Sequence, residues 1–399
     1  MLLERLGEHI REVNVRNRDL TVTKPMGINI DKYFMPSVAN VVGTDLSAYK
    51  LVSKNQFACN LMHVGRDEKI PMAMHVDDNP IIVSPAYFVF EIKKMEVLLP
   101  EYLMMWFSRP EFDRNAWFYT DADVRGGMSK SSLMDMRLPV PSIERQREIV
   151  AEYQILTDRI NLNQQIIQKL EATAQALYQK TFVTNIDKEN LPPGWRMGNL
   201  GDICENTIGG DWGKDMRTGN YVSEVYCIRG TDIPYISKGM KSSMPTRFIL
   251  EKNLKSRRLK SGDIVIEISG GSPTQSTGRN VFITNELLAY ANKDVICSNF
   301  CRLISAQADY EVFFYASLQN LYTNDLLFKF ENSSNGVKNL DLAAVLNDEA
   351  LAIPSNNTAK TFSKNYMPLL KRIYLIGQEV ETIKELQSLL LAKMGKTEL

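Results

Sequence analysis

Two stretches of the chain carry the same heptad register. Ile149, Tyr153, Leu156, Ile160, Asn163, Ile167, Leu170, Ala174 and Leu177 step alternately by four and three residues; Phe362, Tyr366, Leu369, Ile373, Ile376, Val380, Ile383, Gln387 and Leu390 do the same 213 positions later. That 3.5-residue period keeps one seam of a helix facing a partner helix. Two matched helices in one chain imply a duplicated unit. The first should run roughly 30 residues, on the order of 45 Å at 1.5 Å per residue.

Other steps repeat in the same order, at offsets drifting from 194 to 213 as loops lengthen. An apolar residue, a glycine and an acid open each half, Leu6-Gly7-Glu8 and Leu200-Gly201-Asp202. A lysine-led turn into a strand follows, Lys54-Asn55-Gln56-Phe57 against Lys260-Ser261-Gly262-Asp263-Ile264-Val265. Next come an aromatic strand, Val83 to Phe90 against Ile296 to Leu303, and an amphipathic helix, Pro100 to Phe107 against Asp309 to Ala316. Each half closes on a Pro-stopped strand, Leu138-Pro139-Val140-Pro141-Ser142 against Leu351-Ala352-Ile353-Pro354-Ser355. Order and register together predict an internal duplication.

The expected fold is α/β (α+β): globular domains at 1–141 and 184–355, and long helices at 142–183 and 356–399. The linker Thr184 to Gly194 cannot continue a helix, because Pro192, Pro193 and Gly194 end it. Parallel helices would crowd both heads at one end. Antiparallel packing with a pseudo-two-fold places one head at each end of a rod.

A content of 44% apolar and 24% charged residues describes a globular chain. No apolar run approaches the roughly 18 residues that span a bilayer. Met1 to Leu20 is charged throughout and lacks a signal-peptide core, so a cytosolic protein with no membrane partner is expected. The five cysteines, Cys59, Cys204, Cys227, Cys297 and Cys301, are scattered and read as reduced core thiols rather than a zinc site. With 47 basic and 47 acidic residues, no global charge announces nucleic acid. Local basic clusters exist at Arg11 to Lys24 and Lys241 to Lys260.

The order of parts then matches a family. A globular domain, Leu-Pro-x-Pro-Ser, Glu144-Arg145-Gln146-Arg147-Glu148-Ile149-Val150 opening a long heptad helix, a second domain and a second helix resemble the DNA-specificity subunit of Type I restriction-modification enzymes. Leu191-Pro192-Pro193-Gly194-Trp195 and the run Leu99 to Phe107 look similar too. The resemblance covers the whole chain and is loose inside the heads. It implies two target-recognition domains, each binding half of a bipartite, asymmetric double-stranded DNA target. It also implies a helical rod that sets the unread spacer, two methyltransferase subunits docked around the helices, and motor-nuclease subunits joining that complex. No cofactor and no catalytic residue of its own are implied.

Guanine is read by Arg or Lys, adenine by Asn or Gln, and phosphates by Lys, Arg and hydroxyls. The candidates in the first head are therefore Arg16, Arg18, Lys24, Arg66, Lys69, Arg125 and Lys130, with the glycines after Arg125 allowing close approach. In the second they are Lys241, Arg247, Arg257, Arg258, Gln275, Arg279 and Lys338, with Ser272-Pro273-Thr274-Gln275-Ser276 as a base-reading loop. Each has an alternative reading as a solvated side chain. Asn163, whose counterpart is Ile376, reads as a register-fixing polar residue or as a place where a methyltransferase helix packs.

Marks of catalysis are incomplete. Ser84-Pro85-Ala86-Tyr87 resembles an adenine-methyltransferase motif without its second proline and is expected to be a buried strand. Gly209 to Asp215 resembles a phosphate-binding loop one residue short, and reads as a surface loop. Glu91, Lys93 and Asp78 would suit a magnesium-dependent nuclease, but lack the usual proline-aspartate pair. His9, His63 and His75 share no ligand spacing. The alternatives are thus a coiled-coil adaptor holding two protein ligands apart, or a single-chain nuclease using Glu91 and Lys93.

Overall fold

The computed structural model describes residues 3–395 except 38–42, 63, 121–125, 185, 273, 335 and 336. The chain divides into two compact units, Met1–Asp158 with Ile383–Leu399, and Arg159–Thr382. The division falls within both long helices, Ile143–Phe182 and Asn356–Lys393, so each unit holds part of each helix.

In the first unit, β1 (Leu3–Arg5) pairs with β10 (Arg137–Pro139). A four-stranded sheet follows the order β2 (Ile10–Glu12), β9 (Phe88–Ile92), β6 (Phe57–Cys59), β7 (Met72–Met74). A second follows β4 (Phe34–Pro36), β3 (Pro25–Ile28), β8 (Ile81–Val83), β5 (Lys50–Val52), with β3 and β8 parallel. Strand aromatics and the helix Pro100–Phe107 form its core: Phe57 stacks on Phe90 at 5.1 Å and meets Phe107 edge-on at 5.9 Å.

The second unit repeats this plan. β11 (Arg196–Gly198) pairs with β22 (Leu351–Ile353). A sheet runs β12 (Cys204–Gly209), β19 (Cys301–Ala306), β15 (Ile264–Glu267), β17 (Asn280–Phe282), and another runs β14 (Thr246–Leu250), β13 (Tyr221–Ile228), β18 (Val295–Cys297), with β13 and β18 parallel. The turn into the strand is duplicated too, but one residue out of the expected register, with Ser53 rather than Lys54 matching Lys260. Asn55 and Gly262 both take positive φ (64° and 98°), and one residue later the Gln56 and Asp263 side chains accept from the Ser53 and Lys260 amides at 2.8 and 2.7 Å. The second unit also holds a three-stranded sheet, β16 (Ser269–Gly270), β21 (Val337–Leu340), β20 (Glu331–Ser334), which has no counterpart among the described residues of the first.

The helices pair antiparallel. In the second unit Arg159 bonds Glu379 (2.8 Å), Ile167 packs with Ile373 and Ile376, and Phe182 meets Phe362, so numbers rise in one helix as they fall in the other. In the first unit Gln387 donates to Thr157 (2.8 Å), and Ile149, Leu391 and Met394 share one core. Of the seam positions, Ile149, Ile160, Asn163, Ile167, Ala174, Phe362, Tyr366, Ile373, Ile376, Val380 and Ile383 are buried; Tyr153, Leu156, Leu170, Leu177, Leu369, Gln387 and Leu390 are half-buried. At 40 residues, the first helix is longer than its heptads suggest, because Tyr178 and Phe182 extend the apolar face into the second unit's core. A helix packed on a domain needs a wider stripe than a coiled-coil seam.

Two expectations change. Val83 to Phe90 and Ile296 to Leu303 are not single strands: each is the end of a parallel strand, a turn, and a strand in the other sheet. Ser84-Pro85-Ala86-Tyr87 is accordingly a turn with Pro85 and Ala86 exposed, closed by the Tyr87 amide on the Ser84 carbonyl (3.0 Å). It is not a buried strand, since Pro85 has no N–H for a ladder.

Candidate nucleic-acid interface

The candidate residues separate by what already holds them. In the first unit Arg18 and Lys24 are exposed and in no ion pair among the described residues. Arg16 donates to the Ala48 carbonyl (2.5 Å). Lys69 lies 3.5 Å from Asp31, and Lys130 is 2.5 Å from Glu12 with its ammonium 5.0 Å from the Phe88 ring centre. Exposed pairs of this kind are worth little, so phosphates can compete for these cations. Arg125 and the Arg66 side chain lie outside the described residues.

In the second unit Lys241 is exposed. Arg258 pairs with Asp294 (2.9 Å), and Arg257 donates to the Gly209 carbonyl (3.0 Å). Lys338 is 2.9 Å from Glu331 and stands over Phe328. Two candidates need correcting. Arg247 is 4% exposed, paired with Asp215, bonded to the Trp212 carbonyl (2.7 Å) and stacked on the Trp212 ring. Arg279 makes a two-pronged contact with Glu267, which is 2% exposed. Both guanidiniums are committed inside the head, because a buried charge is tolerated only when paired. Hydrogen bonding to Glu267 also raises the Arg279 pKa above its ordinary value.

That pair supports the loop expected to read bases. The Glu267 carboxylate fills space left by Gly230 and Gly270, where a Cβ would overlap it. The loop then turns through Gly271 (φ 72°) and Gly278 (φ 110°), and Glu331 accepts from the Thr277 amide (2.5 Å). Ser276 and Thr277 are buried, while Thr274 and Gln275 are exposed and the Gln275 amide donates to the Tyr322 hydroxyl (3.0 Å). The glycine cluster signals this platform in the sequence. Glu267, Glu331 and Tyr322 escape a sequence reading, since their partners are distant in the chain. So does an exposed aromatic run, Trp117, Phe118 and Tyr119, at 48%, 83% and 51% exposure, ending the helix Pro110–Phe118.

The catalytic alternatives find other partners. Glu91 is held by Arg11 (2.6 Å) and Gln56 (2.8 Å); burial pushes its pKa up, but these contacts hold it below the ordinary value. Lys93 caps the Gly7 and Glu8 carbonyls and Asp78 pairs with Lys54, so the three do not converge. In the Gly209 to Asp215 loop the Gly210 and Asp211 amides donate to the Cys301 and Cys297 carbonyls at 3.3 and 2.9 Å, which leaves neither for a phosphate. Among the described residues one group has metal-ligand spacing, Glu4, Glu8 and His9, and its His9 ring nitrogen already meets Glu4 at 2.8 Å. His75 bonds the Asn79 carbonyl (2.7 Å), and His63 lies outside the described residues. Burial pushes the Cys227 and Cys301 thiols up to about 12, which makes them inert. No described helix is long and apolar enough to cross a membrane.

This architecture has known counterparts. The S subunit of a Type I restriction-modification system from M. genitalium superposes with a TM-score of 0.56 at 13% identity, covering 100% of this chain and 96% of that one. The chain has the fold of a Type I specificity subunit. A chain from a solved structure of the type I R-M system, described by its complex assembly and conformational transition, gives 0.50 at 15% identity, with 100% and 98% covered. By sequence, 157 residues are 27% identical to the HindI specificity subunit of Haemophilus influenzae, 38% of this chain and 33% of that relative. The match thus spans about a third of that protein's length. No family model matches the chain.

Proposed function

We propose that this chain is the DNA-specificity subunit of a Type I restriction-modification complex, a non-catalytic recognition subunit that works in the cytoplasm. Residues 1–141 and 184–355 are its target-recognition domains, each binding one half of an asymmetric DNA target, and 142–183 with 356–399 are the helices that set the spacer. The observation that carries this is a head scaffold duplicated down to one turn's hydrogen bonds and joined to antiparallel helices. The specificity-subunit fold supports the same reading.

Two methyltransferase subunits dock on the helices, and motor-nuclease subunits join through them. Ile155, Leu386 and Leu389, at 68%, 48% and 60% exposure, give the helices of the first unit an apolar outer face for such a partner. Phosphates are gripped by Arg18, Lys24, Lys69, Lys130, Lys241 and Arg258, and bases are read near Thr274 and Gln275. Comparing methylated adenines across a host genome with and without this chain tests the proposal. A bipartite motif that vanishes with the chain supports it. Unchanged methylation, or cleavage by the purified chain that Glu91→Ala abolishes, overturns it.

A further inference from the structure

The two units differ at one connection that reaches the helices. Where the first joins β3 to β4 through five residues, 29–33, the second joins β13 to β14 through seventeen, 229–245. The base of this segment is pinned by Asp232, 2% exposed, which accepts from the Arg229 amide and guanidinium (2.9 Å) and the Ser242 hydroxyl (2.5 Å). Beyond it a short helix, Ile233–Ile236, carries the tip Lys238-Gly239-Met240 onto both long helices.

Three contacts hold the tip. Lys238 Nζ lies 3.2 Å from the Glu171 carboxylate on the first long helix. Met240 packs against Ile167, Ile373 and Ile376 from both helices. Between them backbone meets backbone: a Cβ on Gly377 would overlap the Lys238 carbonyl, and one on Gly239 (φ 72°) would overlap the Tyr374 carbonyl. Gly377 is the single glycine in the second long helix. Apart from proline, glycine is the poorest residue for a helix interior, so its presence there is explained by this close approach. Gly239 also suits its left-handed backbone, but nothing local to the helix calls for Gly377.

We propose that residues 229–245 are a positioning strap, which locks the second recognition domain at one setting on the helix pair and thereby makes the protein intolerant of a changed spacer. The inference rests on the specificity-subunit reading. Its positioning residues are Gly239, Gly377, Lys238 and Glu171. None of them reads a base; they decide where the domain that reads bases is held. The core that Tyr178, Phe182, Phe362 and Tyr366 share with Phe313 and Tyr315 keeps the domain attached if the strap lifts.

The test uses the full chain with its methyltransferase subunits, the mapped target, and targets one base pair longer or shorter in the spacer. In Gly377→Val, amide exchange at 236–240 should rise at least about tenfold as local opening becomes easier. Discrimination against the wrong spacers should fall by about tenfold while both half-site sequences stay the same. A variant whose strap exchanges fast yet keeps full spacer discrimination overturns the proposal, as does one whose half-site sequence changes. If Gly377→Val misfolds, Lys238→Ala with Glu171→Ala takes its place under the same criteria. If the parent chain directs no bipartite methylation, the specificity-subunit reading fails and the spacer role falls with it, whereas unchanged exchange in Gly377→Val refutes the strap contact itself.

Discussion

The two heads share strand order, parallel pairing and the hydrogen bonds of one turn, yet differ at their edges. The first joins β3 to β4 through five residues and leaves Trp117, Phe118 and Tyr119 exposed. The second grows a strap, carries the sheet β16, β21, β20 that the described residues of the first do not form, and stakes a glycine-rich loop on a buried Arg279–Glu267 pair. What is repeated is what builds a core and receives a helix. What diverged lies on loops and sheet edges, where residues can change without unpacking the scaffold.

The sharpest way to break this comparison is Glu267→Ala. It leaves Arg279 unpaired in a site where its side chain is 17% exposed, and removing one partner of a buried pair costs about 3–5 kcal/mol. The loss should fall on one head. Thermal melts should show the second unit weakened, and methylation mapping should show one half-site degraded with the other intact. Equal degradation of both half-sites would mean the heads are not autonomous.

Next is Gln146, in the helix-opening motif. Its side chain is fully buried, accepting from the Leu99 amide (2.9 Å) and donating to the Val97 and Pro141 carbonyls (2.8 Å each). Its counterpart 213 positions later is Ala359, also fully buried. Gln146→Ala should cost about 2–3 kcal/mol by orphaning these groups, measured as a lower denaturant midpoint for the first unit. Ala359→Ser should cost less, since no such bracket is broken there.

How much of this is legible in the sequence depends on the distance over which each signal acts. The heptads give the helices and their pairing because periodicity is local. Ser84-Pro85-Ala86-Tyr87 reads wrongly as a strand because an apolar run does not announce where a chain leaves one sheet for another. Arg247 and Arg279 look like surface cations because the acids that pair with them, Asp215 and Glu267, are 32 and 12 residues away. The strap is invisible for the same reason: Gly377 has meaning only beside the distant Lys238 and Gly239. Glycines locate the loop of Thr274 and Gln275, but not the platform beneath it.

A smaller effect with the opposite sign is expected at Asn163, 1% exposed where its counterpart is Ile376. Its Nδ2 meets no acceptor in hydrogen-bond geometry, although the amide lies beside Glu379, whose pKa is held below the ordinary value first by Arg159 and also by Asn163. Asn163→Ile should therefore stabilise the second unit by about 1 kcal/mol, since a buried polar group with poor bonding gives way to an apolar one. If Asn163 fixes register, the variant should also scramble crosslinks between cysteines placed at 159 and 379. Lower stability with intact crosslinks would make Asn163 a well-bonded residue instead.

The smallest effect distinguishes the cations of the two heads. Arg18 and Lys24 are in no described ion pair, whereas Arg258 must first release Asp294. Removing one cation that grips a phosphate should flatten the slope of log affinity against log salt by about 0.9. Arg18→Ala with Lys24→Ala should thus lower the slope by nearly two and weaken binding to all sequences alike. Arg258→Ala should change it by less than one, because freeing Asp294 offsets part of what the phosphate supplies. Loss of sequence preference in either variant would turn these residues from phosphate grips into base readers. A full change of about 0.9 from Arg258→Ala, half that of the double variant, would show that the Asp294 pair does not compete with DNA, and that exposed pairing is no guide to which cations of the two heads are available.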